Sequence, residues 1–282
     1  MSASPAAAAL AGVAPRPGVP KPDPLLVVDG VTRTFGGLTA VDVDHVEVQR
    51  GTITALIGPN GAGKTTFFNL LTGFDRPQTG TWSFDGEAIH QLRAHEVARR
   101  GMVRTFQLTK VLADMTVLDN MLLAAQQHPG ERFFGALLPA RWRSQEQANE
   151  QRARELLDKV GLAPKADDKA GELSGGQRKL LEMARALMVE PKLVMLDEPM
   201  AGVNPALTQS LLGHITALRD EGRSVLFVEH DMEVVHSISD WVIVMAEGRV
   251  IAEGPPAHVT ADPTVVDAYL GTAHRIDPEL EP

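Results

Sequence analysis

Apolar positions along the chain alternate between two periods. From Leu25, LLVVDGVTRTF predicts a strand, a turn and a second strand, and Thr52–Ile57 (TITALI) predicts another strand that runs into a glycine-rich loop. Lys64–Leu71 then carries its apolar residues at helical spacing, and Gly73 supplies a C-terminal stop. Gly80–Gly86 (GTWSFDG) reads as a short edge strand. From about Val111 to Val189 the pattern is mainly helical, with a capped start predicted at Ser144, where Gln147 follows at capping-box spacing, and an end at Gly161. Strand patterns return at Leu193–Leu196 and Ser224–Val228, on either side of a helical stretch at Pro205–Arg219. That alternation predicts a parallel α/β sheet. Trp241–Glu253 predicts a hairpin turning at Glu247 and Gly248.

The flanks read differently. Pro5–Ala14 (PAAAALAGVA) lacks the basic leading segment of a secretion signal and runs into Pro15, Pro17 and Pro20. Residues 1–24 are therefore expected as a disordered extension, 25–272 as one folded domain with a helical subdomain at about 111–189, and 273–282 as a loose tail. No apolar run reaches the length of a membrane helix; the best stretch, Val234–Ala246, is broken by His236, Ser237, Ser239 and Asp240. Hydrophobic residues make up 44% of the 282, enough for a substantial core. Lys and Arg number 27 against 36 Asp and Glu, a net charge of −9 that argues against a nucleic-acid partner. With no cysteine, disulfides and thiolate chemistry are excluded, and the histidines show no metal-binding spacing.

The chemistry concentrates after the Thr52–Ile57 strand. Gly58–Thr65, GPNGAGKT, fits the phosphate-loop pattern in the required strand-to-helix context. Its glycines let backbone N–H groups turn inward on phosphate oxygens, Lys64 reaches terminal phosphates, and the Thr65 hydroxyl suits Mg²⁺. Four apolar residues then lead to Asp197, placed at a strand tip to hold the Mg²⁺ hydration shell, and Glu198 follows as the acid that polarises an attacking water.

A third motif decides between phosphate-loop classes. Leu173–Gln177 is LSGGQ, opening the amphipathic run RKLLEMARALM, and its serine, glycines and helix N-terminus form a second anion site. With these motifs the chain resembles the ABC transporter ATPase family from Leu25 to Gly271. The resemblance implies an α/β fold: a P-loop NTPase (RecA-like) core with an antiparallel β subdomain and a helical insert. It implies ATP and Mg²⁺ as ligands, gripped by Gly58, Pro59, Asn60, Gly61, Ala62, Gly63, Lys64, Thr65 and Thr66. Ser174, Gly175, Gly176 and Gln177 would contact the γ-phosphate of ATP held by a second subunit. Gln107, in RTFQ, matches the glutamine that senses Mg²⁺ and water, and His230 the histidine that contacts the γ-phosphate. Phe35 stands where the family commonly stacks an aromatic on adenine, although a strand phenylalanine equally suits a core and the commoner residue there is tyrosine; the one tyrosine is Tyr269. Asn204, closing AGVN, replaces an aspartate found in many members, which removes a charge from that position.

FGGLTAV, MTVLDN, LDEPMAGVNP, VEHDM and VVDAYLG most resemble the ATPase subunits of branched-chain amino-acid importers. That resemblance implies transmembrane permease subunits, a second ATPase subunit and a solute-binding protein as partners, and a place on the cytoplasmic face of the membrane. Urea or short-amide importers, lipid or lipopolysaccharide exporters and soluble ABC ATPases share much of this set. A GTPase is disfavoured by the absence of N-K-x-D and a small-molecule kinase by the intact LSGGQ.

Overall fold

The computed structural model describes residues 5–105, 111–125 and 139–273. Two sheets organise them. The first is antiparallel and contains β1 (Pro24–Phe35), β2 (Leu38–Gln49), β4 (Thr79–Phe84) and β5 (Glu87–Ala88), in the order β2-β1-β4-β5. The second contains β3 (Ile53–Ile57), β6 (Met102–Arg104), β7 (Leu193–Asp197), β8 (Ser224–Val228), β9 (Trp241–Ala246) and β10 (Arg249–Gly254), in the order β10-β9-β3-β8-β7-β6. Its pairings are parallel from β9 through β6, and only the β9–β10 hairpin is antiparallel.

Every residue of β3, β7 and β8 is buried, as strands covered on both faces must be. Period-two alternation divides their side chains between two cores. Ile53, Ala55 and Ile57 of β3, with Val194 and Leu196 of β7, face the helical insert formed by α4 (Val117–Leu122), α5 (Pro139–Lys159) and α6 (Gly175–Leu187), with α7 (Pro205–Asp220) on the same side. Leu56, Leu193 and Met195 face α2 (Lys64–Leu71) and the antiparallel sheet, where Phe67, Phe68, Trp82 and Phe84 fill the space.

Several boundaries differ from the sequence reading. Residues 25–35 form one strand rather than two, because Gly30 takes φ +56 and absorbs a register shift that bends the strand without ending it. The 80–86 stretch pairs with β1 and with the two-residue β5, so it is interior to its sheet. Helix α5 begins at Pro139, a residue suited to a first helical position, so Ser144 lies inside the helix rather than capping it. The segment ahead of Leu25 was expected to be disordered, yet a few buried residues anchor it to the fold. A short helix, α1 (Pro5–Ala9), leads to a 3₁₀ turn, and Leu10, Val19 and Lys21 are buried. The anchor is far away in sequence. Lys21 Nζ pairs with Glu253 Oε1 at 3.2 Å and lies 4.5 Å from the Trp241 ring centroid, while the Val19 N–H donates to the same carboxylate at 2.8 Å.

The hairpin, α2, α7 and the strands around the phosphate loop sit where the pattern put them. Among the described residues no helix is long and apolar enough to cross a membrane.

Candidate functional site

The phosphate loop, residues 58–65, joins β3 to α2 and is clamped from two sides. Gly58 has φ +147, and a Cβ there would lie 2.0 Å from the Met245 carbonyl oxygen of β9. Gly63 has φ +97, and a Cβ there would lie 2.1 Å from the Ala40 carbonyl oxygen of β2. Both contacts are with backbone that cannot swing away, so both positions require glycine. The β9–β10 turn, with Glu247 at φ +49 and Gly248 at φ +83, fits between loop and sheet; the Gly248 N–H donates to the Ala62 carbonyl at 3.1 Å, and its carbonyl accepts from the Asp42 N–H at 2.8 Å. Lys64 Nζ donates to the carbonyls of Gly58 at 2.6 Å and Pro59 at 2.9 Å. Burial pushes the Lys64 ammonium below its ordinary pKa, while the nearby charges of Glu198 and Asp197 push it back up.

Asp197 ends β7 and is buried. Its Oδ2 accepts from Arg104 Nη2 at 2.6 Å, and Arg104 Nη1 donates to Asn69 Oδ1 of α2 at 2.6 Å. Its Oδ1 is buried without a hydrogen-bond partner among the described residues. A buried carboxylate oxygen left open beside the phosphate-loop helix suits a cation or a water in a cation's shell. Glu198, half-buried, has φ +47, a left-handed conformation uncommon for a residue with a side chain. Its N–H donates to the Val228 carbonyl at 3.0 Å.

On α6, Ser174 is the N-cap. Its Oγ accepts from the Gln177 N–H at 3.2 Å, and Gln177 Oε1 accepts from the Ser174 N–H at 2.9 Å, a closed capping box. Nothing lies within 4 Å of where a Gly175 Cβ would stand, so bare backbone faces open space at the helix start. Asn204 caps α7, its Oδ1 accepting from the Leu207 N–H at 3.0 Å. His230 follows β8 with its side chain 67% exposed. Phe35 ends β1 at 47% exposure, which removes it from the core; the Arg33 guanidinium lies 4.3 Å from its ring centroid and pairs with Asp75 at 2.8 Å. Tyr269, on α10 (Pro263–Ala273), packs against the inner core instead, where burial raises its phenol and a Gly58 backbone hydrogen bond partly offsets that. Gln107 lies outside the described residues.

Three residues emerge that the motif reading passed over. Arg104 opens the RTFQ string but acts on Asp197. Glu229, buried beside His230, accepts from the Met200 N–H at 3.0 Å and from the His230 N–H at 3.2 Å. Lys179 donates to backbone carbonyls of the segment after Asp197. VEHDM contained the signal for Glu229, since a carboxylate next to a site histidine invites scrutiny. No local spacing reports on Lys179.

The chain is similar to known proteins over most of its length. The family profile described as ABC transporter matches residues 41–201, and one described as branched-chain amino acid ATP-binding cassette transporter matches residues 249–275. The high-affinity branched-chain amino acid transport ATP-binding protein BraF of Pseudomonas aeruginosa is 44% identical over 253 residues, covering 89% of this chain and 99% of its own. The corresponding LivG protein of Escherichia coli is 42% identical over 253 residues, with the same coverage. Among solved structures, a nucleotide-free ATP-binding cassette from an ABC transporter superposes with a TM-score of 0.76 at 37% identity over 87% of this chain and 98% of that one. An ATP-binding cassette of an ABC transporter in its ADP conformation superposes at 0.75, with 36% identity over 88% of this chain and 99% of that one.

Proposed function

The chain belongs to the ABC transporter ATP-binding family, and we propose that it powers import of branched-chain amino acids, hydrolysing ATP in step with a permease. ATP binding and hydrolysis come with the family; the solute is the inference. What carries it is similarity along nearly the whole length to branched-chain amino acid transport ATP-binding proteins, joined by the separate match at residues 249–275.

The site residues act as follows in this reading. Gly58–Thr66 wrap the β- and γ-phosphates, with Lys64 meeting their charge. Phe35 offers its free face to adenine, with Arg33 backing the other. Thr65, Asp197 and Gln107 hold Mg²⁺, and the open Asp197 Oδ1 fits that use. When bound, the metal supplies positive charge against the terminal phosphates. Glu198 accepts a proton from the attacking water, and His230 steadies the γ-phosphate. Ser174–Gln177 reach the nucleotide of a second ATPase subunit through the Gly175 and Gly176 N–H groups, which the capping box does not use, so ATP bridges two subunits and its hydrolysis releases them. Permease subunits hold this chain at the cytoplasmic face of the membrane, and a solute-binding protein completes the assembly.

The test is uptake. The chain is reconstituted in proteoliposomes with its co-purifying membrane subunits, second ATPase and binding protein. ATP-dependent accumulation of labelled leucine, lost in Glu198→Gln, is the expected result. Accumulation of urea or a short amide in place of leucine would overturn the solute assignment, and unchanged ATP turnover in Glu198→Gln would overturn the role given to that carboxylate.

A further inference from the structure

Helix α6 carries a lysine less than two turns in from Ser174. Lys179 Nζ donates to the backbone carbonyls of Glu198 at 3.4 Å, Pro199 at 2.9 Å and Ala201 at 2.5 Å. An ammonium has three donors and no acceptor capacity, so these carbonyls use its full valence. Burial lowers the Lys179 pKa, and the charges of Glu229, Glu182 and Glu198 raise it. The same side chain lines a cavity of about 30 Å³ shared with Asp197 and Glu198.

What the ammonium holds is a segment that resists its own conformation. Residues 198–204 link β7 to α7, and Glu198 at φ +47 holds a left-handed backbone that its side chain disfavours. Such a residue keeps its geometry only where its surroundings fix it. Two holds come from the core sheet side: the Glu198 N–H on the Val228 carbonyl at 3.0 Å, and the Met200 N–H on Glu229 Oε1 at 3.0 Å. Lys179 reaches the segment from the helical insert, on the helix that begins with the LSGGQ residues.

We propose that Lys179 is a positioning residue that couples the two half-sites within one chain: a shift of α6 as Ser174–Gln177 engage a neighbouring subunit's nucleotide moves the carbonyl clamp and sets Glu198 to take the proton of the water that attacks this chain's own ATP. The physical warrant is one rigid helix with a ligand-facing end and a clamp on the catalytic segment. The inference rests on the proposed roles of Glu198 and of the LSGGQ lid.

The experiment uses the full transporter complex and five variants. Lys179→Met is expected to lower kcat by about tenfold to a hundredfold, the range for a misplaced catalytic group, with KM for ATP within about twofold. Lys179→Arg should recover most of the loss. In a Glu198→Gln background, Lys179→Met should cost nothing further, because its effect runs through the missing carboxylate. Wild-type kcat in Lys179→Met, or a further full loss on top of Glu198→Gln, would overturn the coupling. If Lys179→Met fails to fold, Lys179→Gln decides: reduced kcat supports the clamp and wild-type kcat sinks it. Unchanged turnover in Glu198→Gln alone would instead overturn the underlying assignment of that carboxylate.

Discussion

Arg104 and Asp197 meet at 2.6 Å with both side chains almost wholly out of solvent, and the same guanidinium reaches Asn69 at 2.6 Å, so one cation ties the tip of β7 to helix α2. The pair leaves Asp197 Oδ2 committed and Oδ1 open. One side chain thus fixes the carboxylate and chooses which buried oxygen stays open.

Arg104→Met is expected to strand a buried carboxylate and cost about 3–5 kcal/mol in stability, the usual price of breaking one side of such a pair. Arg104→Lys should recover only part, since an ammonium cannot span Asn69 and Asp197 with a planar fork. Urea denaturation of the three proteins checks the order; equal midpoints would count against the arrangement.

Gly175→Ala separates folding from turnover. Nothing lies within 4 Å of the added methyl, and alanine is the better helix former by about 0.8–1.0 kcal/mol, so the variant should melt at or slightly above the wild-type temperature. Its ATP turnover should nevertheless fall steeply, because the methyl stands where, in the proposed function, backbone approaches the neighbour's phosphate. Calorimetric melts and phosphate release, measured on one preparation, decide the matter. Intact turnover would argue that no phosphate comes close to that glycine.

Lys21 and Glu253 give a pH-dependent prediction. Burial pushes the Glu253 carboxyl above its ordinary 4.5, partly offset by Lys21, and burial pushes Lys21 below its ordinary 10.5, partly offset by Glu253. A raised carboxyl favours the folded state while protonated, and that contribution fades as pH climbs through the folded-state value. Lys21→Met removes the offset, so the loss in stability should be larger at pH 8 than at pH 5. Lys21→Met with Glu253→Leu should regain most of it at both. Denaturant midpoints at the two pH values test the sign; a larger loss at pH 5 would contradict it.

Phe35→Ala should weaken ATP binding about tenfold, within the usual range for losing one base-stacking partner, while Phe35→Trp keeps it. Arg33→Ala should cost less, since it removes only the cation on the ring's other face. Calorimetric titration with ATP gives the three dissociation constants. An unaffected constant for Phe35→Ala would place adenine elsewhere.

What the sequence made legible was local. Lys64–Leu71, Leu193–Asp197 and the Glu247–Gly248 turn announce themselves within a few residues, because period, flanking glycine and turn chemistry act over short spans. The N-terminal segment did not. An alanine- and proline-rich stretch carries no periodic signal, and its anchor, Glu253, lies 232 residues away from Lys21. Arg104 and Lys179 escaped for the same reason: the first reaches Asp197 across 93 positions, and the second binds carbonyls, which every residue has and no motif records. Ser144 misled because a capping-box spacing also arises inside a continuous helix.

The left-handed backbone of Glu198 sets the protein's heat resistance against its work. Asparagine or glycine would rest more easily in that conformation, so Glu198→Asn should gain up to about 1 kcal/mol of stability while forfeiting the proposed proton acceptor. Anyone breeding this protein for hardiness alone would therefore collect sturdy, idle variants, and activity has to be scored alongside survival from the first round.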